Sequence, residues 1–215
     1  MNLLREYIKT LLTEAAYDLS EFEKRGYYIS IDDSDGSSFE IALYRMRSKL
    51  PIDEIGIISA HRAAGDLGEC LDAYVVTWSK VEEKGWGPLL YDLAMEYATS
   101  MGSGLAPDRE NVSYKANAVW DYYLTNRNDI VPAQLDDMQD HLTPGDSNDN
   151  CEQHMAYERG LKGGTFWDEY GDMEQTPWDP YGKDVLLKSP LSKMYRWRGT
   201  SNIDTIKTMK RLLPS

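Results

Sequence analysis

The chain has 215 residues, 41% of them apolar and 11% aromatic, and carries a formal net charge of −13 at neutral pH. This length and apolar content suit one α+β domain with a sizeable core, and no apolar run is long enough to span a bilayer. A field this negative repels a polyanion, and every phosphate contact needs a cation, so duplex nucleic acid is disfavoured as a partner and a cationic or amine-bearing one is favoured.

At the N-terminus, Leu3, Leu4, Tyr7, Ile8, Leu11 and Leu12 form one apolar face of a helix, with Arg5, Glu6 and Lys9 off it. The stretch is too short and interrupted for a secretory signal and lacks a small-residue cleavage site after an apolar core. It reads either as a helix packed on the domain or as a removable targeting segment, residues 1–14, ahead of a domain spanning 15–215. Residues 40–47 and 55–62 then read as strands, with Ser34-Asp-Gly-Ser-Ser as the turn of a first hairpin.

The next unit is the most informative. Residues 73–81 form an apolar, β-branched run that reads as a strand. Glu82-Glu83-Lys84-Gly85-Trp86-Gly87-Pro88 breaks it, and the spacing of Leu89, Leu90, Leu93, Ala94 and Tyr97 restarts with helical period. A strand, a glycine turn and a helix in this order suit a phosphate or pyrophosphate. The glycines admit close approach, the first helical amides are unpaired, and the helix dipole points at the same spot. Pro88 suits the first helical turn, where its missing N–H costs nothing. The turn is not a dinucleotide fingerprint, since Leu90 stands at the third glycine position, and it lacks the Gly-Lys-Ser/Thr ending of a triphosphate loop.

Beyond the helix, Gly104-Leu-Ala-Pro reads as a short strand, and Ser113 to Tyr123 as a helix in which Trp120 and Tyr123 fit a buried stripe. Residues 129–149 are acidic and loop-like, whereas 183–211 are basic and run into a predicted amphipathic helix at 203–213, so the two segments suit one another's charge. Between them, the Gly- and Trp-rich residues 163–182 read as long ordered loops, either an acceptor pocket or a lid over core.

Metal-site patterns fail on inspection. Asp146-Ser-Asn148-Asp-Asn150 begins like a calcium loop, but Cys151 stands where the sharp-turn glycine belongs and Tyr157 where the bidentate Glu belongs. His141, Cys151 and His154 lack a second matched pair for zinc, and His61 reads as a packed histidine. Cys70 and Cys151 fall in unrelated contexts, which leads to the expectation of free thiols in a reduced setting.

The strand, glycine turn and helix resemble those of the GCN5-related N-acetyltransferase (GNAT) family, whose signature Gln/Arg-x-x-Gly-x-Gly/Ala lies between a central strand and the long helix under the acetyl-CoA pyrophosphate. Here the signature reads Glu82-Glu83-Lys84-Gly85-Trp86-Gly87: the glycines match and Glu82 departs. Family members also carry Asn/Ser-x-x-Ala-x-x-x-Tyr on the helix after the next strand, where the Tyr protonates the departing thiolate. In this chain that spacing delivers Ser113, Ala116 and Trp120. An indole cannot serve as the acid, so Tyr122 or Tyr123, with Tyr123 favoured, takes the role.

The resemblance covers roughly residues 27–130 and implies a mixed, mostly antiparallel sheet flanked by helices, with an elaborated C-terminal half. It implies acetyl-CoA as cosubstrate, bound by Lys84, Gly85, Trp86, Gly87, Pro88 and Leu89, with no metal. The acceptor is an amine on a protein or small molecule. An alkyl amine must lose a proton before attack, and Glu69 and Asp72, just ahead of the central strand, are the carboxylates nearest by position.

Gly-Leu-x-x-Asp-Arg-x-x-Val-Ser followed by Ala-x-x-x-Trp further resembles acetyltransferase-like proteins of tailed phages. Leu12-Thr13-Glu14 before Ala15 resembles the cleavage point of phage capsid-targeting peptides. Together these imply a host-cytoplasmic enzyme or one packaged in a phage head. The alternative is a catalytically degenerate member of the fold that binds a host partner. Glu82 and Trp120 favour that alternative, and the intact glycine turn favours the enzyme.

Overall fold

Tyr27–Asp32 (β1) and Ser38–Met46 (β2) form the first hairpin, and Ile52–Arg62 (β3) and Tyr74–Val81 (β4) extend it antiparallel, one strand at a time. Phe39, Ile41 and Leu43 of β2 share one face and are buried, as the pleat requires, and Ala42 between them is buried as well. The computed structural model describes residues 19–33, 35–46, 52–108, 112, 114–152 and 183–213.

Within these residues the sheet has seven strands in the order β1-β2-β3-β4-β5-β7-β6, where β5 is Leu105–Ala106, β6 Ile130–Gln134 and β7 Lys193–Trp197. Every neighbouring pair is antiparallel except β4 and β5. The fold is thus α+β, with a mixed and mostly antiparallel sheet. The described helices are Leu19–Lys24 (α1), Gly87–Ser100 (α2), Tyr114–Asn126 (α3), Lys183–Lys188 (α4) and Asn202–Thr208 (α5).

Two apolar layers flank the sheet. Neighbouring residues of one strand point to opposite faces, so Tyr74 and Val76 enter one layer and Val75 the other; Leu105 and Ala106, and Tyr195 and Met194, divide the same way. The large layer holds α2 and α3 and the aromatics Phe22, Tyr27, Tyr74, Trp120, Tyr123 and Tyr195. Trp120 is central, stacked on Tyr195 at 5.1 Å and edge-on to Tyr91 at 5.5 Å. The small layer holds Ala63, Cys70, Ala73, Val75, Ala106, Leu135, Cys151 and Met194.

Helix α2 is buried nearly all round, and its two enclosed acids are fully engaged. Asp92 accepts from Tyr123 at 2.8 Å and pairs with Arg127 at 3.1 Å, while Glu96 accepts from Ser201 Oγ and the Asn202 and Ile203 amides, holding the start of α5. Burial works against the Arg127 cation, but its hydrogen bond to Asp129 and the charge of Asp92 raise its pKa above the ordinary guanidinium value.

Three expectations are corrected here. Cys70 and Cys151 are not free thiols but form a disulfide across 81 residues of sequence, because the hairpin-like approach of 63–73 to 135–152 brings their Cα atoms to 4.6 Å. The acidic 129–149 and basic 183–211 segments contain strands: β6 and β7 pair antiparallel from Ile130↔Trp197 to Gln134↔Lys193. The predicted helix at 203–213 stops at Thr208, since Lys210 is left-handed (φ 57°) and the chain then runs beside β1, with Ile29 N–H donating to Arg211 O and Leu213 N–H to Ile29 O. The predicted N-terminal segment 1–14 and the aromatic loops at 163–182 lie outside the described residues, as do Ser113, His154 and Tyr157.

Candidate functional site

Strands β4 and β5 start together and part at once. Pairing is confined to Tyr74↔Leu105 and Val75↔Ala106, whereas β4 continues for six more residues to Val81. A register shift lies in the same place: Ser59 faces Trp78 and Ala60 faces Val76, so Thr77 is an extra residue on β4, its hydroxyl donating to Ser59 O at 3.2 Å. Bulges of this kind bend and twist a strand. The ladder closes at Val75 and Ala106, and from there β4 runs toward the glycine turn with no β5 partner, a wedge defined by its closed end at the last pair.

Beyond β4, Gly85 takes φ +96°, a conformation that suits glycine, and the chain turns into α2. Trp86 at the N-cap gives no side-chain cap to the helix, so its first amides keep their donor capacity. A Cβ built on Gly87 meets only Val81 Cγ2, at 3.9 Å, an ordinary contact, so the protein's own packing does not require glycine there.

The flanking carboxylates are turned to other partners. Glu82 pairs with Lys80 at 2.7 Å, and that hydrogen bond holds its pKa below the usual carboxylate value. Glu83 accepts from the Tyr27 hydroxyl and pairs with Arg45 at 2.9 Å. Trp86 is buried between Phe22 and Tyr27, so of this residue only the backbone faces the turn; Leu89 is fully buried, Lys84 is exposed, and Pro88 is half-buried.

The predicted catalytic residues are not brought together. Tyr123 is buried and its hydroxyl donates to Asp92, which places the favoured acid inside the large layer rather than in a cleft. Tyr122 is half-buried beside it. Asp72 is held by Arg62 at 2.7 Å and receives the Ser103 hydroxyl at 3.2 Å; Glu69 is exposed on the same turn. Both precede β4, whose eight residues at about 3.3 Å each put them roughly 26 Å along the strand from the glycine turn.

A different set does meet at the wedge. The Tyr91 hydroxyl of α2 lies 3.0 Å from Ser79 Oγ of β4, with the Trp120 ring edge-on behind it. Burial pushes the Tyr91 phenol up, the Ser79 hydrogen bond opposes this, and the charge of Asp108, just past β5, raises it further. Neither Ser79 nor Tyr91 was singled out in the sequence. The signal that could have found the pair is distance from the element ends, since Ser79 lies two residues before the end of β4 and Tyr91 four residues into α2, about 6–7 Å along each axis.

Among the described residues no group of three His, Cys, Asp or Glu side chains is arranged to hold a metal ion. Asp146 instead caps a 3₁₀ turn at Ser147–Asp149, and His141 Nδ1 lies 2.8 Å from Asp137. No described helix is long and apolar enough to cross a membrane. Compared with known proteins, the chain matches no family model, no curated protein and no solved structure.

Proposed function

We propose that the chain is an acetyl-CoA-dependent N-acetyltransferase of GNAT-like architecture. The coenzyme's pyrophosphate lies on the backbone of residues 84–89 and its pantetheine arm in the β4/β5 wedge. The observation that carries this reading is Gly87. It opens a helix whose N-cap supplies no side-chain cap, in a place where the fold would accept a Cβ, so its lack of a side chain is explained by close approach of a ligand. The mostly antiparallel sheet, the glycine turn after the central strand and the helix after the next strand support the same reading.

In the reaction an uncharged amine attacks the thioester carbonyl. The C–N bond forms, the C–S bond breaks, the amine gives up a proton, and the thiolate gains one. Backbone N–H groups of β4 beyond Val75 supply the oxyanion donors. The hydroxyl pair of Ser79 and Tyr91 replaces Tyr123 as donor to the sulfur, and Asp108 is the carboxylate whose charge reaches that pair.

Calorimetric titration with CoA tests the site. The parent should bind, Gly87→Ala should bind more weakly, and Gly87→Glu, which adds a larger side chain and a negative charge, should not bind. Equal binding by Gly87→Glu and the parent removes the site. A second reading, a degenerate binding protein, is favoured by the engagement of Tyr123 with Asp92 and by Trp120 at the family's acid position. Binding of acetyl-CoA without turnover against a panel of peptide and small-molecule amines selects it. On either reading a phage origin makes residues 1–14 a capsid address, and protein from infectious particles should then begin at Ala15.

A further inference from the structure

The closed end of the wedge is held in an unusual way. Cys70, Leu71 and Asp72 are three consecutive non-glycine residues in the left-handed region, with φ of 47°, 56° and 60°. Left-handed L-residues occur mostly singly, and a run of three persists only where its surroundings over-determine it. Here the run lies between the disulfide and β4.

The Cys70 amide donates to Asn150 O and the Cys151 amide to Asp136 O, both at 3.0 Å, and Glu152 N–H donates to Leu67 O at 2.9 Å. Asp72, the last of the run, is gripped by Arg62. The apolar packing around the sulfurs is thin: three of the layer's members are alanines and two are the cysteines themselves. Val75 and Ala106, the last paired residues of β4 and β5, belong to that layer. A layer with so little apolar surface to lose depends on its covalent tie more than the aromatic layer does.

We propose that Cys70–Cys151 is a redox latch: two-electron reduction by a dithiol releases residues 65–73 and 135–152 as one local unit while the aromatic layer stays folded. The thiolate of the dithiol attacks one sulfur and expels the other as a thiolate, forming a mixed disulfide. Its second thiol then resolves that bond, leaving two cysteine thiols and an oxidised dithiol. Both sulfurs are buried, with Cys70 0% and Cys151 2% exposed, so attack waits on a local opening and the latch is slow to release in the folded protein. Release relaxes the left-handed run and frees the closed end of the wedge. The proposal does not depend on what the wedge binds.

Hydrogen–deuterium exchange of the full chain, read by mass spectrometry before and after dithiothreitol, tests it, with alkylation counting the thiols. Reduction should expose two thiols and lower amide protection in 65–73 and 135–152 by about tenfold or more, leaving 27–32, 39–43 and 89–98 unchanged. Cys70→Ala/Cys151→Ala should show the reduced pattern without any reductant. Loss of protection throughout the chain, no loss anywhere, or a bond that dithiothreitol opens only in denaturant would each overturn the latch.

Discussion

The two apolar layers are built from opposite materials. On one face, Trp120, Tyr123, Tyr195, Tyr74 and Tyr27 interlock with the apolar residues of α2; on the other, three alanines, a valine, a leucine and a methionine surround a disulfide. Aromatics of that size carry enough buried surface to hold two helices against a sheet by packing alone. The small layer cannot, and it uses a covalent bond and loop-to-loop backbone hydrogen bonds instead. The two faces therefore answer differently to truncation, to added methyl groups and to acid.

The largest effect falls in the aromatic layer. Trp120→Ala should cost about 3–5 kcal/mol in urea unfolding, because its contacts with Tyr91, Tyr123 and Tyr195 vanish together. A loss under about 1 kcal/mol would mean the layer closes over the gap and is not a tightly packed aromatic core.

Comparable in size is Arg127→Met, at about 3–5 kcal/mol, since it leaves Asp92 buried without its cation. The double variant Arg127→Met/Asp92→Leu should recover part of that cost. If it recovers none, the pair is not coupled and Asp92 is satisfied by Tyr123 alone.

Glycine-to-alanine changes divide the structure more finely. Gly104→Ala puts a methyl 2.6 Å from the Tyr195 carbonyl oxygen, a backbone atom that cannot swing aside, and should cost about 1–3 kcal/mol. Gly87→Ala meets open space and a 3.9 Å contact, so it should be neutral or stabilise by up to about 1 kcal/mol. Equal destabilisation by the two, measured by thermal unfolding, would show that Gly87 serves the fold and would remove the observation on which the coenzyme site rests.

The smallest effect is in the pH profile. Asp129, behind the aromatic layer, has its pKa lowered by its hydrogen bond to Arg127, so it adds stability above its unfolded pKa and loses that contribution as pH falls through the lowered value. Asp149, beside the small layer, has its pKa raised, mainly by burial. Its contribution is present below the unfolded pKa and is lost as pH rises through the folded one. Asp149→Asn should therefore flatten the decline from acid to neutral pH, while Asp129→Asn should weaken the acid loss. Urea midpoints across that range that move the same way in both variants would contradict this assignment.

Glu40–Arg47, Ile55–Arg62 and the strand–turn–helix at 73–98 were legible because each declares itself within a dozen residues, by alternation, by paired glycines or by a 3.6-residue stripe. Those signals located β2, β3, β4 and α2 and the turn at Gly85 and Gly87. The candidate site was legible only in part, since the turn is local whereas its hydroxyl pair and its neighbouring acid come from three elements. Helical spacing put Trp120 and Tyr123 on one buried stripe, where the structure has them, but could not tell what holds the Tyr123 hydroxyl; that was decided by Asp92 and the rings around it.

Sequence alone determined the elements whose physics is short-ranged: backbone propensity, pleat and helix period, and the freedom of glycine at one turn. Tertiary structure alone decided the rest, namely that β7 slips between β5 and β6, that Cys70 meets Cys151 across 81 residues, and that β4 leaves β5 after two pairs. Each of these is a contact between segments far apart in the chain. Such contacts form only when burial of the whole aromatic layer offsets the entropy of closing long loops, and no window of neighbouring residues records that balance.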